Sequence, residues 1–313
     1  MSHLKSLTPD DLDKVQIRDE RNELVAVVGL LATLYVPKPH ESVKRQAVAA
    51  CIEDYLHVAG SHLHWVRVDE RAPRRMGEEE FPTIPSLAAS YAEHQPFEFA
   101  ASGAEHPSEA SHYGIRTWLG GRRSYEHIGY LSAMLPLAFV AEQRPGFFQR
   151  LLQGWCERVV PLHGYAGLAL VRSIDNARAR RAEPLLYPLI RRFPGLEVDM
   201  PVEHTLHLQD GIKGVNWLTV LSNTFLERLG GREALRACLE DAFPFLEYTG
   251  GAIIQAGPHP QLGDLEQGNV PAHYRTLYHL LRPIQADYGD DLFETPTGVD
   301  PTDFTQQWMH RFE

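Results

Sequence analysis

Residues 144–171, RPGFFQRLLQGWCERVVPLHGYAGLALV, decide the fold. The first half repeats apolar side chains every three to four residues, which predicts an amphipathic helix. The members of this apolar stripe are Phe147, Phe148, Leu151, Leu152, Trp155 and Val159. The second half, LHGYAGLALV, is a short apolar run that contains glycine, and it predicts a buried strand. We therefore expect a helix that packs onto a sheet.

The residues before this unit alternate between strand and helix patterns. Runs 15–19 and 23–36 predict paired strands around the polar segment 20–22, because Leu, Val and Tyr dominate the second run. Residues 41–58 carry apolar side chains at helical spacing and predict an amphipathic helix. The segment 71–94 is rich in proline, glycine and glutamate and predicts a long loop. Further strands are predicted over 62–68, 97–101, 112–119 and 129–140.

The C-terminal half continues the mixed pattern. Helices are predicted over 176–193, with an interruption near its two prolines, and over 223–229, 232–241, 272–281 and 302–311, and a strand pair over 245–248 and 252–256. Strands cluster in runs, which favours an α+β fold with mostly antiparallel sheet and helices packed on one face. Residues 1–283 form either a single α+β domain or two intimately packed halves that divide near 125–160. Residues 284–313 form an acidic C-terminal tail with a short helix.

The composition is that of a globular protein. With 43% hydrophobic and 23% charged residues, the 313-residue chain can bury a large core. Its apolar runs are shorter than the roughly 18–20 residues of a membrane helix, and MSHLKSLTPDDLDK lacks an apolar signal region. We therefore expect a cytoplasmic protein that does not bind a membrane. Cys51, Cys156 and Cys238 lie in apolar helical segments and are expected to be buried free thiols.

The net charge of −11 is unevenly distributed. Residues 284–313 hold seven carboxylates and one arginine, and a smaller acidic run occupies residues 78–80. Residues 172–194 hold six arginines and two acids. An acidic chain repels a nucleic-acid backbone and attracts basic surfaces, which argues against DNA or RNA as a partner. The opposite charges also suggest that the arginine-rich helix pairs with residues 287–303.

Two histidine pairs have spacings that could suit a metal. A strand would bring His62 and His64 to one face, and a helix would bring His204 and His207 together beside Glu203. Neither pair matches HExxH, and the chain has no CxxC. Imidazoles that hydrogen-bond to the backbone are the simpler interpretation, so no metal or other cofactor is expected. A metal-binding or small-molecule enzyme that uses His204 and His207 is the alternative function.

Motifs for nucleophilic catalysis are absent from the sequence. The chain contains no GxSxG, and none of its cysteines lies in a motif that activates a thiolate. The segment Gly120-Gly121-Arg122 follows a predicted strand, but it matches neither glycine-rich phosphate-binding pattern and is better explained as a hairpin turn. We therefore do not expect an enzyme.

Residues 211–268 are dense in glycine and contain GIKGVNWLTVL, LERLGGREALR and GGAIIQAGPHPQLGDLEQG. Glycines at the ends of apolar runs are expected to take positive φ, which costs other residues free energy. The five glycines in such positions are Gly230, Gly231, Gly250, Gly251 and Gly257. Trp217 has apolar neighbours and is expected to lie in the core.

The same segments resemble the TsiV-like family of type VI secretion immunity proteins. Members of that family carry a GxxGVNWLT segment, an LGG helix break and a late GPxPxLGD turn. The resemblance extends through ELVAVVGLLATLYV, MLPLAFV and the helix and strand of residues 147–171, in the same order and spacing. The acidic tail and the loop at residues 78–80 are not part of this motif set.

The resemblance implies a protein that binds a toxin and is not an enzyme. Members of the family are encoded beside type VI secretion effectors and protect the producing cell by binding the effector, and several of these toxins resemble restriction-endonuclease-type nucleases. The expected partner is therefore a cognate secreted effector toxin. A structural accessory protein of the secretion system is a further alternative.

Charge, rather than the family motifs, predicts the interface residues. A nuclease presents a cationic cleft, which an inhibitor can occlude with carboxylates of complementary potential. An aromatic anchor among these carboxylates is also expected, because interface hot spots favour buried aromatic side chains ringed by polar residues. The predicted toxin-binding residues are Glu78, Glu79, Glu80, Asp287, Tyr288, Asp290, Asp291 and Phe293.

Overall fold

The sheet is built around one long strand. The computed structural model describes residues 9–78, 82–122, 128–239, 242–288 and 292–313, with side chains from residue 11 onward. Its strands are β1 Gln16–Arg18, β2 Leu24–Pro37, β3 Trp65–Val68, β4 Arg74–Arg75, β5 Phe97–Ser102, β6 Gly114–Leu119, β7 Ile128–Leu135, β8 His163–Arg172, β9 Glu197–Val198, β10 Leu218–Ser222, β11 Phe245–Tyr248 and β12 Gly251–Gln255. They form one sheet in the order β11-β12-β10-β8-β2-β7-β6-β5-β3-β4, with β1 paired to β2 and β9 paired to β8.

The α-helices connect and cover these strands. They are α1 Pro9–Leu12, α2 Ser42–Ala59, α3 Ile84–Ala89, α4 Leu137–Glu142, α5 Phe147–Val159, α6 Asn176–Arg181, α7 Glu183–Arg192, α8 Pro201–His204, α9 Asn223–Arg228, α10 Arg232–Cys238, α11 Ala272–Leu281 and α12 Pro301–Met309. Short 3₁₀ turns occupy Gly60–His62, Leu265–Gln267 and Arg282–Ile284. Among the described strand pairs only β8 and β9 are parallel. The predicted α+β fold with mostly antiparallel sheet is confirmed.

The central strand β2 is mostly apolar because both its edges and both its faces are covered. It pairs with β7 on one side and β8 on the other, so that Leu30 lies opposite Leu135 and Leu168. Residues 26–36 of the strand are all buried. A strand covered in this way has no solvated face, and its sequence shows a continuous apolar run in place of alternation.

Helices and loops cover both faces of the sheet. Leu30 of β2 lines a groove with Phe147, the first residue of α5. Thr33 and Tyr35 have the opposite parity on the strand and therefore point to the other face. There, Thr33 contacts Asp199 and Tyr35 contacts His204. The structure thus adds a second layer, which includes α8, to the one-sided helical layer that we expected.

Residues 137–140 differ from the prediction, which extended β7 through them. They begin α4 instead, after Pro136 at the end of the strand. The carboxylate of Asp13 accepts hydrogen bonds from the backbone N–H groups of Leu137 and Ala138, at 2.9 and 2.7 Å. Side-chain acceptors at a helix start satisfy donors that have no partner within the helix. This cap comes from a distant part of the sequence, so the local pattern could not show it.

The glycines in the glycine-dense stretch of residues 211–268 are explained by two different structural requirements. Gly230, Gly231 and Gly257 take positive φ as predicted, whereas Gly250 and Gly251 do not. A Cβ on Gly251 would lie 2.0 Å from the carbonyl oxygen of Leu221 on the adjacent strand β10. Close approach of a neighbouring strand, and not backbone conformation, therefore explains this glycine.

The C-terminal segment packs onto the rest of the protein through its aromatic side chains. Phe304, Trp308 and Phe312 are all buried. Arg180 Nε donates to Glu294 Oε1 at 2.8 Å, and the backbone N–H of Glu294 donates to Glu183 at 2.6 Å. The predicted pairing between the arginine-rich helix and residues 287–303 is confirmed.

Two of the three cysteines are buried as expected. Cys51 on α2 and Cys156 on α5 are free and buried, but Cys238 is free and exposed. The expectation for Cys238 is wrong because α10 is short and buries only Leu235.

Candidate functional site

The two predicted acidic residues that the structure describes lie at separate places on the surface. Glu78 is exposed in the turn that follows β4, and Asp287 is exposed after the 3₁₀ turn Arg282–Ile284. The two line different pockets that share no residue. The remaining predicted acids, Glu79, Glu80, Asp290 and Asp291, lie outside the described residues.

The two predicted aromatic anchors are buried in the protein. Tyr288 and Phe293 are each 3% exposed. The Phe293 ring packs against Phe304 and Trp308, with centroids 5.5 and 5.3 Å apart, and the Tyr288 ring lies 4.6 Å from His207. Neither ring is therefore offered to a partner in this conformation. Composition could not show this, because an acidic segment with isolated aromatics resembles a solvated tail.

Glu78 borders an open apolar pocket of about 270 Å³. The floor contains Val66, Ile84 and Phe99, which are all buried. Among the described residues, the charged groups that line it are the carboxylates of Glu78, from the turn after β4, and Glu53, from α2, and the guanidinium groups of Arg74 and Arg75 on β4. This arrangement brings acidic groups and an apolar recess together, as in the interface hot spots of other proteins.

The carboxylates of the rim are available to a partner. Within the described residues, neither Glu53 nor Glu78 takes part in an ion pair, and both are exposed. Arg75, on the adjacent strand, places its guanidinium 4.9 Å from the ring centre of Trp65. Glu53 was not predicted from the sequence, because an acid on a helix is ordinarily part of a solvated face. Its position one turn before Leu56 gave no separate signal.

A larger groove of about 940 Å³ lies between α5 and the loop of residues 257–271. Phe147 at the start of α5 and Leu262 in the loop line it, with Trp217 between them. Trp217 is 4% exposed, as expected for a core residue, and stacks on Phe148 with the two rings almost parallel. Three segments that carry the resemblance to the family, FFQRLL, GVNWLT and GPHPQLGD, thus contribute residues to one groove.

A buried polar centre lies on the opposite face of the sheet, around Asp199. Its carboxylate accepts hydrogen bonds from Thr33 at 2.7 Å, Ser132 at 3.0 Å and Tyr165 at 2.6 Å. Arg116 lies 3.8 Å from the same carboxylate. A buried carboxylate with several donors is satisfied and holds neighbouring elements in one arrangement. The Asp199 centre therefore ties β2, β7 and β8 to the segment that follows α7.

A second buried carboxylate, that of Glu197, completes this centre. Lys213 Nζ donates to Glu197 at 2.6 Å, Asn216 donates at 3.3 Å, and Arg311 lies 3.8 Å away. Burial lowers the pKa of Lys213, against the opposing effect of Glu197, and lowers the pKa of Arg311 to about 10. Isolated charges in apolar runs, as in LEVDM and GIKGV, are the sequence signal that could have revealed this centre.

The His204 pair does not form a metal site. His204 is 1% exposed, and its Nδ1 lies 3.3 Å from the hydroxyl of Tyr35. Burial, reinforced by the charges of Lys213 and Arg172, lowers the pKa of His204 well below its ordinary value. Within the described ranges, no group of three or more His, Cys, Asp or Glu side chains is arranged to hold a metal ion.

The His62 pair is also separated by the fold. His62 stacks on Tyr113 with ring centres 4.2 Å apart, whereas His64 Nδ1 lies 3.1 Å from the carbonyl oxygen of Ala104. His62 lies in a 3₁₀ turn and not in the strand, so the expected alternation does not apply to it.

Among the helices of the described residues, none combines the length and apolar character that a bilayer span requires.

Comparisons with known proteins agree with the resemblance in the sequence. The family model described as type VI immunity for VRR-NUC, TsiV, matches residues 47–312. A solved structure, the type VI secretion system protein PA0821 of Pseudomonas aeruginosa, is similar in fold with a TM-score of 0.87 and 24% sequence identity. The similarity covers 97% of this chain and 88% of that protein. No match to the chain is found among curated proteins.

Proposed function

Because the chain belongs to the TsiV family of type VI immunity proteins for VRR-NUC, we propose that it neutralises a nuclease effector by occluding the effector's cationic cleft with the surface around Glu78. Its role as an immunity protein implies a cognate effector toxin as the binding partner. We also propose that the protein acts in the cytoplasm and inhibits the effector without catalysis.

The observation that supports this surface is the position of Glu78 on the rim of the apolar pocket. Glu53 and Glu78 are exposed and free of ion pairs in the described part of the chain. Their charges match a cleft built for phosphate, and the recess beside them can receive an apolar side chain of the effector. Complementary charge raises the association rate, and a filled apolar recess slows dissociation.

The surface around Asp287 is the weaker candidate. Asp287 is exposed, but its pocket measures about 190 Å³ and lies beside Arg282, which pairs with Glu313. The aromatic residue next to Asp287 in sequence is the buried Tyr288. Tyr288 would first have to leave the core before it could serve as an aromatic anchor for a partner.

Co-expression tests the immunity role. The effector encoded beside this chain should stop growth when it is produced alone in the cytoplasm, and co-production of this chain should restore growth. Purified chain should also inhibit cleavage of DNA by the effector at a one-to-one ratio. Persistent toxicity and cleavage in the presence of soluble chain would contradict the proposal.

Charge reversal tests the surface. Glu78→Lys should lower the association rate with a nuclease-inactive effector by about tenfold at low salt and weaken its salt dependence. Glu227→Lys is the matched control, because it makes the same change in net charge on α9, near the opposite end of the sheet. The control should stay within about twofold of the unmodified chain. Equal losses in both variants would show a general charge effect and refute the assignment to Glu78.

A further inference from the structure

We propose that the groove between α5 and residues 257–271 holds an extended segment of the effector without basic side chains, as a second contact apart from the surface around Glu78. This inference rests on the proposed function. It concerns the groove of about 940 Å³ that Phe147, Trp217 and Leu262 line. The volume lies at the upper end of the range for binding sites, which is roughly 300–1,000 Å³.

The charges of the groove exclude a basic segment as its occupant. Asp264 is the only acid among the described lining residues, and Arg192 neutralises it through two hydrogen bonds of 2.7 and 3.0 Å. On the α5 side the exposed Arg144 adds a positive charge, which no ion pair neutralises within the described residues. Arg192 also pairs with Glu266 at 3.0 Å. The paired carboxylate cannot attract a further cation strongly. The complementary occupant is therefore a segment without basic side chains, in contrast to the partner of Glu53 and Glu78.

The side-chain amides along the loop suit a polypeptide backbone. Gln261, Gln267 and Asn269 line the groove, and none of their side chains makes a hydrogen bond within the described residues. Each primary amide carries both donors and an acceptor. An extended peptide presents N–H and C=O groups in alternation, so amides of this kind can pair with it at successive residues.

The floor of the groove is apolar, and the indole N–H in it already has a hydrogen-bond acceptor. Leu30, Leu168 and Trp217 contribute to it, and the indole N–H of Trp217 donates to the carbonyl oxygen of Gly257 at 3.1 Å. This hydrogen bond leaves no unpaired polar atom on the indole for a ligand to satisfy. Apolar side chains of the occupant therefore gain from burial here.

Prolines fix the walls of the groove before any ligand binds. Pro145 stands on the α5 side, and Pro258, Pro260 and Pro271 stand on the loop side. Each proline has its φ fixed by the ring, which lowers the entropy lost when the groove accepts a ligand. The same rigidity argues against a movement of the loop that would close the empty groove.

A matched pair of variants on one turn tests the groove. Gln267 and Leu265 both lie on the 3₁₀ turn Leu265–Gln267 and both are exposed, but only Gln267 lines the groove. Gln267→Trp should fill the groove and raise the dissociation rate of the nuclease-inactive effector at least tenfold, with the salt dependence of association unchanged. Leu265→Trp places the same side chain outside the groove and should change the rate less than about twofold.

The outcomes separate this inference from the proposed function. If the unmodified chain binds the effector and Gln267→Trp binds equally well, the groove is not a contact but the immunity role stands. If the unmodified chain does not bind at all, the proposed function itself fails. Equal weakening by Leu265→Trp would refute an effect specific to the groove. If light scattering shows that the unmodified chain is a dimer and the Gln267→Trp variant is a monomer, the groove binds a second copy of the chain and the proposal is overturned.

Discussion

Replacement of Lys213 by methionine should destabilise the protein severely. Lys213 is 1% exposed, and its ammonium group donates to Glu197 at 2.6 Å and lies 4.8 Å from the ring centre of Trp308. The methionine fills a similar volume but leaves the Glu197 carboxylate with Asn216 at 3.3 Å and Arg311 at 3.8 Å. Removal of one partner from a buried ion pair costs roughly 3–5 kcal/mol, because the other charge stays buried, here with only the longer contacts to compensate it.

Urea unfolding measures this cost. With an m-value of about 3 kcal/mol/M, the expected loss lowers the midpoint by roughly 1–1.7 M. Lys14→Met is the control, because Lys14 is 74% exposed and pairs with Asp11 across 3.6 Å. An exposed pair of this kind contributes at most about 1 kcal/mol.

A double variant tests the physical reason. Lys213→Met combined with Glu197→Gln removes both charges of the pair and should recover part of the lost stability, because the buried Arg311 then keeps only the carbonyl oxygens of Pro194 and Trp308 as partners. A loss below about 1 kcal/mol for Lys213→Met alone would refute the reasoning. So would a double variant that is less stable than the two single losses combined, because the coupling between the charges would then have the wrong sign.

Two further predictions follow from burial. Burial lowers the pKa of His163 to about 4, whereas the pKa of the unfolded side chain is about 6.5. As the pH falls, the unfolded chain therefore takes up the proton before the folded chain does. The free energy of unfolding should then decrease by roughly 3 kcal/mol between pH 6.5 and pH 4. His163→Gln should show a smaller loss in urea unfolding between pH 7 and pH 5, and an equal loss would contradict the assignment. Burial raises the pKa of Cys51 to about 12, whereas Cys238 is exposed. A thiol reagent should therefore label Cys238 alone in the native protein and all three cysteines in urea, and rapid native labelling of Cys51 would exclude its buried position.

The regular elements were predictable because their signals are local. The helical stripe of residues 147–159 and the apolar run of β2 each follow from the spacing of side chains within one segment, and both elements appear close to the expected bounds. The start of α4 was not predictable, because its cap is Asp13, which is far away in sequence. β10 was missed for a related reason, since Leu218–Ser222 is only five residues long and its pairing partners lie on β8 and β12.

The candidate site was only partly accessible from the sequence. Glu78 was found from its acidic run, because exposure follows readily from charge. Tyr288 and Phe293 were expected beside the acids, but their burial depends on packing against α12 and the residues near α8. Glu53 became a candidate only when the fold placed α2 beside the turn after β4. The convergence of three motifs at the groove is likewise a property of tertiary structure.

The central position of β2 also has a consequence for biosynthesis. The strand ends at Pro37, but the partner that covers its second edge ends at Arg172. At a synthesis rate of about 5–20 residues per second, β2 waits roughly 7–27 s on the ribosome with an apolar edge unpaired. Such an edge can pair with other chains until β8 arrives. The centre of the sheet can therefore form only after residue 172 has been synthesised.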